Sequence, residues 1–102
     1  MTVALQGEHG KPRPALVIQS DLFAGAATVT VLPLTSARAE APLIRIDVAP
    51  SPGNGLRRPS QVMIDKAMTV RAERLGAPFG RLDDAALLAV SRALALFLGI
   101  AR

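Results

Sequence analysis

The stretch from Gly10 to Ser36, GKPRPALVIQSDLFAGAATVTVLPLTS, constrains this chain most, because its two short apolar runs suit buried strands. Ala15–Gln19 and Thr28–Leu32 are too short for stable helices and rich in Val, Ile or Thr. A polar residue borders each run: Arg13, between Pro12 and Pro14, precedes the first, and Thr35 follows the second. If the two strands are antiparallel neighbours, the start of one lies beside the end of the other. That arrangement predicts that Arg13 and Thr35 meet at one edge. A guanidinium beside a hydroxyl at a rigid strand end suits phosphate recognition, since Arg offers a planar fork to phosphate oxygens.

Four further strands are expected. Thr2–Leu5 is short and starts abruptly, Ile44–Val48 alternates apolar residues with Arg45 and Asp47, and Gln61–Asp65 and Met68–Val70 are brief apolar runs. Between them, Gln6–Pro12 is a turn-rich loop, Ser20–Gly25 a helical turn over a packed Phe23, and Pro50–Pro59 the most punctuated segment of the chain. The Arg57-Arg58 pair in that last segment is either part of a substrate channel or a solvated charge pair. Leu82–Gly99 reads as the one long helix, with Asp83 or Asp84 as its cap and Gly99 as its stop. Leu87, Val90, Leu94, Phe97 and Leu98 form one apolar stripe, expected to be buried, and Leu88 and Leu96 lie off it, either as a face for a partner subunit or as core filling. About six short strands ending in a helix predict a mainly β domain, a small bent sheet or barrel closed by the helix.

At 102 residues the chain is one domain (1–102), able to bury about 65% of its unfolded surface. No apolar run reaches the ~18–20 residues of a membrane span, and no basic-then-apolar signal pattern opens the chain. It has no cysteine and a single histidine, which removes a disulfide framework and makes a zinc site an unlikely reading. A cytoplasmic protein without metal or cofactor is the simplest expectation. The net charge is +4, with Arg greatly outnumbering Lys, a bias that suits phosphates or an acidic partner. Only Phe23, Phe79 and Phe97 are aromatic, so any nucleic-acid recognition would have to lean on Arg, backbone and hydroxyl groups rather than on a generic stacking platform.

Arg13-Pro14, then Leu16-Val17-Ile18-Gln19-Ser20-Asp21, then Leu32-Pro33-Leu34-Thr35-Ser36 resemble the opening of the MazF/PemK-type toxins. Later matches are Asn54-Gly55-Leu56, Ser60-Gln61-Val62, Thr69-Val70, Arg74-Leu75 and Gly80-Arg81-Leu82, so the ordered set spans nearly the whole chain. The resemblance implies an SH3-like barrel, a homodimer and a small acidic antitoxin. It also implies cleavage of single-stranded RNA without metal, by attack of the substrate's own 2′-hydroxyl on the adjacent phosphorus. An Arg-Gly-Asp-like lead-in precedes the first strand in that family. Met1 stands where it should end, so the expectation is an upstream start or a shortened first strand.

Such a reaction needs charge stabilisation on a crowded phosphorane, a base for the 2′-OH and an acid for the leaving 5′-oxygen. The resemblance carries the catalytic roles to Arg13, which clamps the phosphate, and Thr35, which hydrogen-bonds the same group. His9, Lys11, Ser36 and Arg38 are the candidate nucleic-acid contacts. An arginine is a poor general base, because its guanidinium holds its proton throughout the physiological range. His9 has the only side chain here whose unperturbed pKa lies near neutrality, about 6.5. It is either a solvated loop residue or a proton acceptor four positions from Arg13. Some members carry a serine where this chain has Gly7.

The chain also resembles gyrase-poisoning CcdB-type toxins of the same fold, at Val17-Ile18-Gln19-Ser20-Asp21, Pro33-Leu34, Ser36-Ala37 and Leu98-Gly99-Ile100. Those use a tryptophan where Leu98 stands, and this chain has none. An indole is the large anchor such a contact needs, so its loss favours the nuclease reading. A catalytically inactive family member is the third reading.

Overall fold

The computed structural model describes residues 2–6, 12–19, 21–23 and 25–100. Seven strands precede one helix: β1 (Thr2–Gln6), β2 (Pro12–Val17), β3 (Thr28–Thr35), β4 (Arg45–Val48), β5 (Ser60–Met63), β6 (Met68–Arg71), β7 (Leu75–Gly80) and α1 (Asp84–Phe97). All pairings are antiparallel, in the order β4-β5-β3-β2-β1-β7, with β6 added to β3. Among the described residues no pairing joins β4 to β7, so the sheet is mainly β and helix-covered but not a closed barrel.

The long strand β3 organises the sheet. One of its edges carries β2, at Leu32↔Leu16 and its neighbours. Along the other, β6 takes Thr28–Val31 and β5 takes Leu34 and Thr35. Pro33 falls in the gap between those two partners, where a missing N–H costs no ladder bond on that side. Both β2 and β3 are longer than the apolar runs suggest. Arg13 lies within β2 rather than before it, and Thr35 is the last residue of β3.

Side chains alternate across the sheet. Leu16, Leu32 and Leu34 point to the main core, with Val48, Leu56, Val62, Ile64, Leu82 and Val90. Ala15, Val31 and Val70 form a smaller cluster apart from it, extended by Val17, Val29 and Leu75. Asp83 caps α1, its carboxylate accepting from Ala86 N at 2.7 Å. At the other end Gly99 N donates to Leu96 O and Ile100 N to Ala95 O, the paired bonds of a Schellman stop, with Gly99 at φ +77°.

Two packing expectations need correction. Leu87, Val90 and Leu94 reach the core, but Phe97 and Leu98 are about half exposed, because the sheet covers only the earlier turns of the helix. Phe23 is 61% exposed, on a 3₁₀ turn that lies off both core clusters. Leu88 and Leu96 are exposed, as their place off the stripe implies. No helix among the described residues is long and apolar enough to cross a membrane.

Candidate RNA-cleavage site

The β2–β3 register pairs Ala15 with Pro33. Continued two residues past its last pair, the same register would set Arg13 across from Thr35. Pleat alternation puts Arg13 and Thr35 on the face of Ala15 and Pro33, away from the Leu16–Leu32 core. Both residues line one open cleft of roughly 730 Å³, together with Ser36 and Ala37. The strands thus bring together three of the site residues expected from sequence: Arg13, Thr35 and Ser36.

Thr35 is held on two sides. Its backbone pairs with Gln61 of β5, and its Oγ1 accepts from Ala37 N at 3.1 Å. That bond uses an acceptor lone pair and leaves the hydroxyl hydrogen able to donate to an oxygen in the cleft. The following loop is stapled by Gln61, a buried residue. Its Oε1 accepts from Ala39 N at 3.0 Å, and its Nε2 donates to Ala39 O at 3.1 Å and to Asp47 Oδ1 at 2.9 Å. One amide therefore satisfies both backbone groups of a loop residue four positions after Thr35.

Arg38 lies elsewhere. It donates to Asp47 Oδ1 at 3.2 Å and lines a second recess with Glu40, Arg45 and Asp47, so the structure does not bring it to Arg13 and Thr35. Hydrogen bonds from Gln61 first, and from Arg38, hold the Asp47 carboxyl below its ordinary value of 3.8. His9 and Lys11 lie outside the described residues, as does Gly7.

The far end of the cleft is built from residues that the Arg13–Thr35 pairing does not reveal. Gly55, Leu56, Arg57, Arg58, Ser60 and Phe79 line it. Buried Asn54 organises this wall: its Oδ1 accepts from Ser51 N and Leu56 N, and its Nδ2 donates to Ala49 O at 2.8 Å. Arg81 N donates to Gly53 O at 2.7 Å, tying the loop to the end of β7. The Asn54-Gly55 dipeptide was the available sequence signal for this turn. No signal in the chain announced that Phe79 would sit beside it.

Three guanidiniums, those of Arg13, Arg57 and Arg58, border the cleft, and no carboxylate among the described residues does. None of the three has an ion pair with a described residue. Such an arrangement is suited to attracting a polyanion and to offsetting negative charge on a bound phosphate.

The profile of the PemK-like, MazF-like toxins of type II toxin–antitoxin systems matches residues 1–98. A probable endoribonuclease MazF from Mycolicibacterium smegmatis is 46% identical over 101 residues, covering 98% of this chain and 93% of that protein. The fold is similar to that of the Mycobacterium tuberculosis toxin MazF-mt6, with a TM-score of 0.81, 24% identity and 97% of each chain covered. It is also similar to a MazE–MazF crystal structure from Deinococcus radiodurans, with a TM-score of 0.79 and 20% identity over 98% of this chain and 93% of that one. A mycobacterial endoribonuclease solved with its cognate antitoxin superposes with a TM-score of 0.79 and 24% identity, covering 99% and 94% of the two chains.

Proposed function

We infer the activity of this chain from its kinship: it belongs to the PemK-like, MazF-like toxins of type II toxin–antitoxin systems, and we propose that it is an endoribonuclease that cuts single-stranded RNA. The observation that carries the reading is the shared cleft of Arg13 and Thr35, with their cationic surroundings. Arg13 clamps the scissile phosphate through its guanidinium fork and offsets charge on the phosphorane. Thr35, oriented by Ala37 N, donates its hydroxyl to a non-bridging oxygen of the same phosphate. The substrate's 2′-oxygen attacks phosphorus as its proton passes to a base, the bond to the 5′-oxygen breaks, and that oxygen takes up a proton from solvent. The products are a 2′,3′-cyclic phosphate and a 5′-hydroxyl.

A guanidinium and a threonine hydroxyl do not serve as proton acceptors near neutral pH, so a separate one is required. His9 is the residue whose ordinary pKa suits that role. An acidic antitoxin, folding over the basic cleft, is the expected inhibitor in the cytoplasm, by analogy with the relatives solved with a partner. The exposed Leu88, Leu96, Phe97 and Leu98 offer apolar surface for a homodimer. The finer fold assignment, an SH3-like barrel, is supported by the likeness to MazF structures.

The test is cleavage of mixed-sequence single-stranded RNA in EDTA, with product ends identified by mass spectrometry. Arg13→Ala and Thr35→Ala should each lower the rate by at least ~10²-fold, as loss of a transition-state donor does. In His9→Gln the rise of rate through pH 6–7 should flatten, about the range of an ordinary imidazole. Near-normal cleavage by Arg13→Ala or Thr35→Ala, with unchanged circular dichroism, refutes the site.

A further inference from the structure

We propose that Arg57, Arg58 and Phe79 form a nucleotide-binding arm of the cleft, in which the two guanidiniums hold a phosphate flanking the cleaved one and the Phe79 ring stacks a neighbouring base. This rests on the reading of Arg13 and Thr35 as the cleavage site. All three arm residues line the same cleft as that pair. Arg57 and Arg58 are exposed and have no ion pair with any described residue, so their charge is available to a ligand.

The platform beneath them is rigid. Gly55 has φ +68°, and a Cβ placed there would come within 2.7 Å of Phe79 Cδ1 and 2.5 Å of its carbonyl oxygen. The ring therefore lies against the bare backbone of Gly55, while 40% of Phe79 faces solvent. On one side of Gly55, Asn54 is buried and bonded to Ser51, Ala49 and Leu56; on the other, Leu56 enters the core. Arg57 and Arg58 thus leave the core from a fixed backbone point, so only their side chains remain to be ordered on binding.

A π-face beside unpaired guanidiniums matches the alternation of base and phosphate along a single strand. An acidic peptide would use the arginines and has no equal need of an exposed ring. At roughly 730 Å³ the cleft falls within the ~300–1,000 Å³ of sites that enclose ligands much larger than a phosphate. One ring stacks any base, so the arm adds affinity without selecting sequence by hydrogen bonds.

The probe is a mixed-sequence single-stranded RNA carrying 2′-O-methyl groups throughout, which cannot be cut by 2′-hydroxyl attack, read by fluorescence anisotropy over a salt series. The double variant Arg57→Ser/Arg58→Ser should bind about tenfold more weakly at low salt. Its log–log salt slope should fall by about 0.7 for each phosphate no longer neutralised. Phe79→Leu should weaken binding by about tenfold with the slope unchanged. In cleavage of ordinary RNA both should raise KM and leave kcat within about threefold. Unchanged RNA affinity and slope in both variants, with wild-type circular dichroism, overturns the proposal. So does a loss of affinity confined to an acidic antitoxin, which would make the arm a protein-docking surface. Arg13→Ala, which removes the clamp on the cleaved phosphate, should lose turnover by at least ~10²-fold and lower the salt slope by about 0.7 for that one phosphate, whereas the arm variants lose affinity and keep kcat. Wild-type turnover in Arg13→Ala refutes that reading separately from the arm, which the anisotropy series tests by itself.

Discussion

Replacing Gln61 by Leu keeps the side chain's bulk and removes its amide. Two hydrogen bonds to the backbone of Ala39 are lost, at 3.0 and 3.1 Å, together with the bond to Asp47. Bonds of this kind are each worth about 0.5–1.5 kcal/mol net. Ala39 is exposed, so water can take over its freed N–H and C=O, and the larger penalty for a buried unsatisfied group does not apply. The two backbone bonds together therefore predict about 2 kcal/mol of lost stability. For a domain of this size that is a fall in Tm of about 8–16 °C.

Stability alone would not distinguish Gln61 from any other buried polar group. The loop it staples begins at Thr35, whose hydroxyl is oriented by Ala37 N. Release of Ala39 should let that turn rearrange, and cleavage well below the new Tm should fall by about tenfold, through kcat rather than KM. In a Thr35→Ala background the same substitution should cost stability but almost no further activity, since the group it positions is gone. Urea denaturation and single-turnover cleavage measure the two effects. A loss under about 0.5 kcal/mol, or equal activity losses in both backgrounds, refutes the staple.

Gly80→Ala would drive a Cβ into the backbone of Asn54, which cannot move without breaking the loop, and should destabilise by about 1–3 kcal/mol in chemical denaturation. Asp83→Ala removes the helix cap bond to Ala86 N and should cost about 1 kcal/mol by the same assay. The folded pKa of Asp47 lies below its ordinary 3.8, so its contribution to stability is present above that pH and is lost as pH falls through the lower folded value. Its carboxyl resonance should titrate below 3.8 by NMR, and Gln61→Leu or Arg38→Ala should move the midpoint up.

The strands that carry Arg13 and Thr35 were legible because both runs are apolar and short, and because antiparallel register relates the start of one to the end of the other. Their true ends were not. The expected runs begin at Ala15 and end at Leu32, whereas Pro14 and Pro33 beside them both lie inside strands, Pro33 where the partner edge is interrupted. Strand β7 escaped notice altogether. Its sequence, LGAPFG, holds two glycines and a proline, and it survives as an edge paired only with β1. The helix caps at Asp83 and Gly99 were readable from residue type. Periodicity does not show where the sheet stops covering the helix, so the apolar stripe runs on to Phe97 and Leu98, which the structure leaves about half exposed. Arg57 and Arg58 stood undecided between channel and solvent, because their position depends on how β7 meets the Asn54 turn. That contact joins distant parts of the chain through Gly55, Gly80 and Phe79, and no local pattern encodes it.

The excess of positive charge is small, and its distribution matters more than its size. Four of the described carboxylates are occupied away from the cleft: Asp47 with Arg38, Asp65 with Lys66, Glu73 with Arg71, and Asp83 with the helix N-terminus. Exposed pairs of this kind add little stability. Their consequence is to neutralise charge on the rest of the surface, so that the field of Arg13, Arg57 and Arg58 is not offset across the cleft by a described acidic side chain. Salt screens exposed charges beyond about 8–10 Å, which makes the local arrangement, not the total of +4, what an approaching phosphate experiences. A chain with the same net charge but a glutamate at position 57 would offer no such path. Neutralising Arg38, already compensated by Asp47, should by the same logic leave RNA affinity nearly unchanged, whereas neutralising Arg57 and Arg58 together should not.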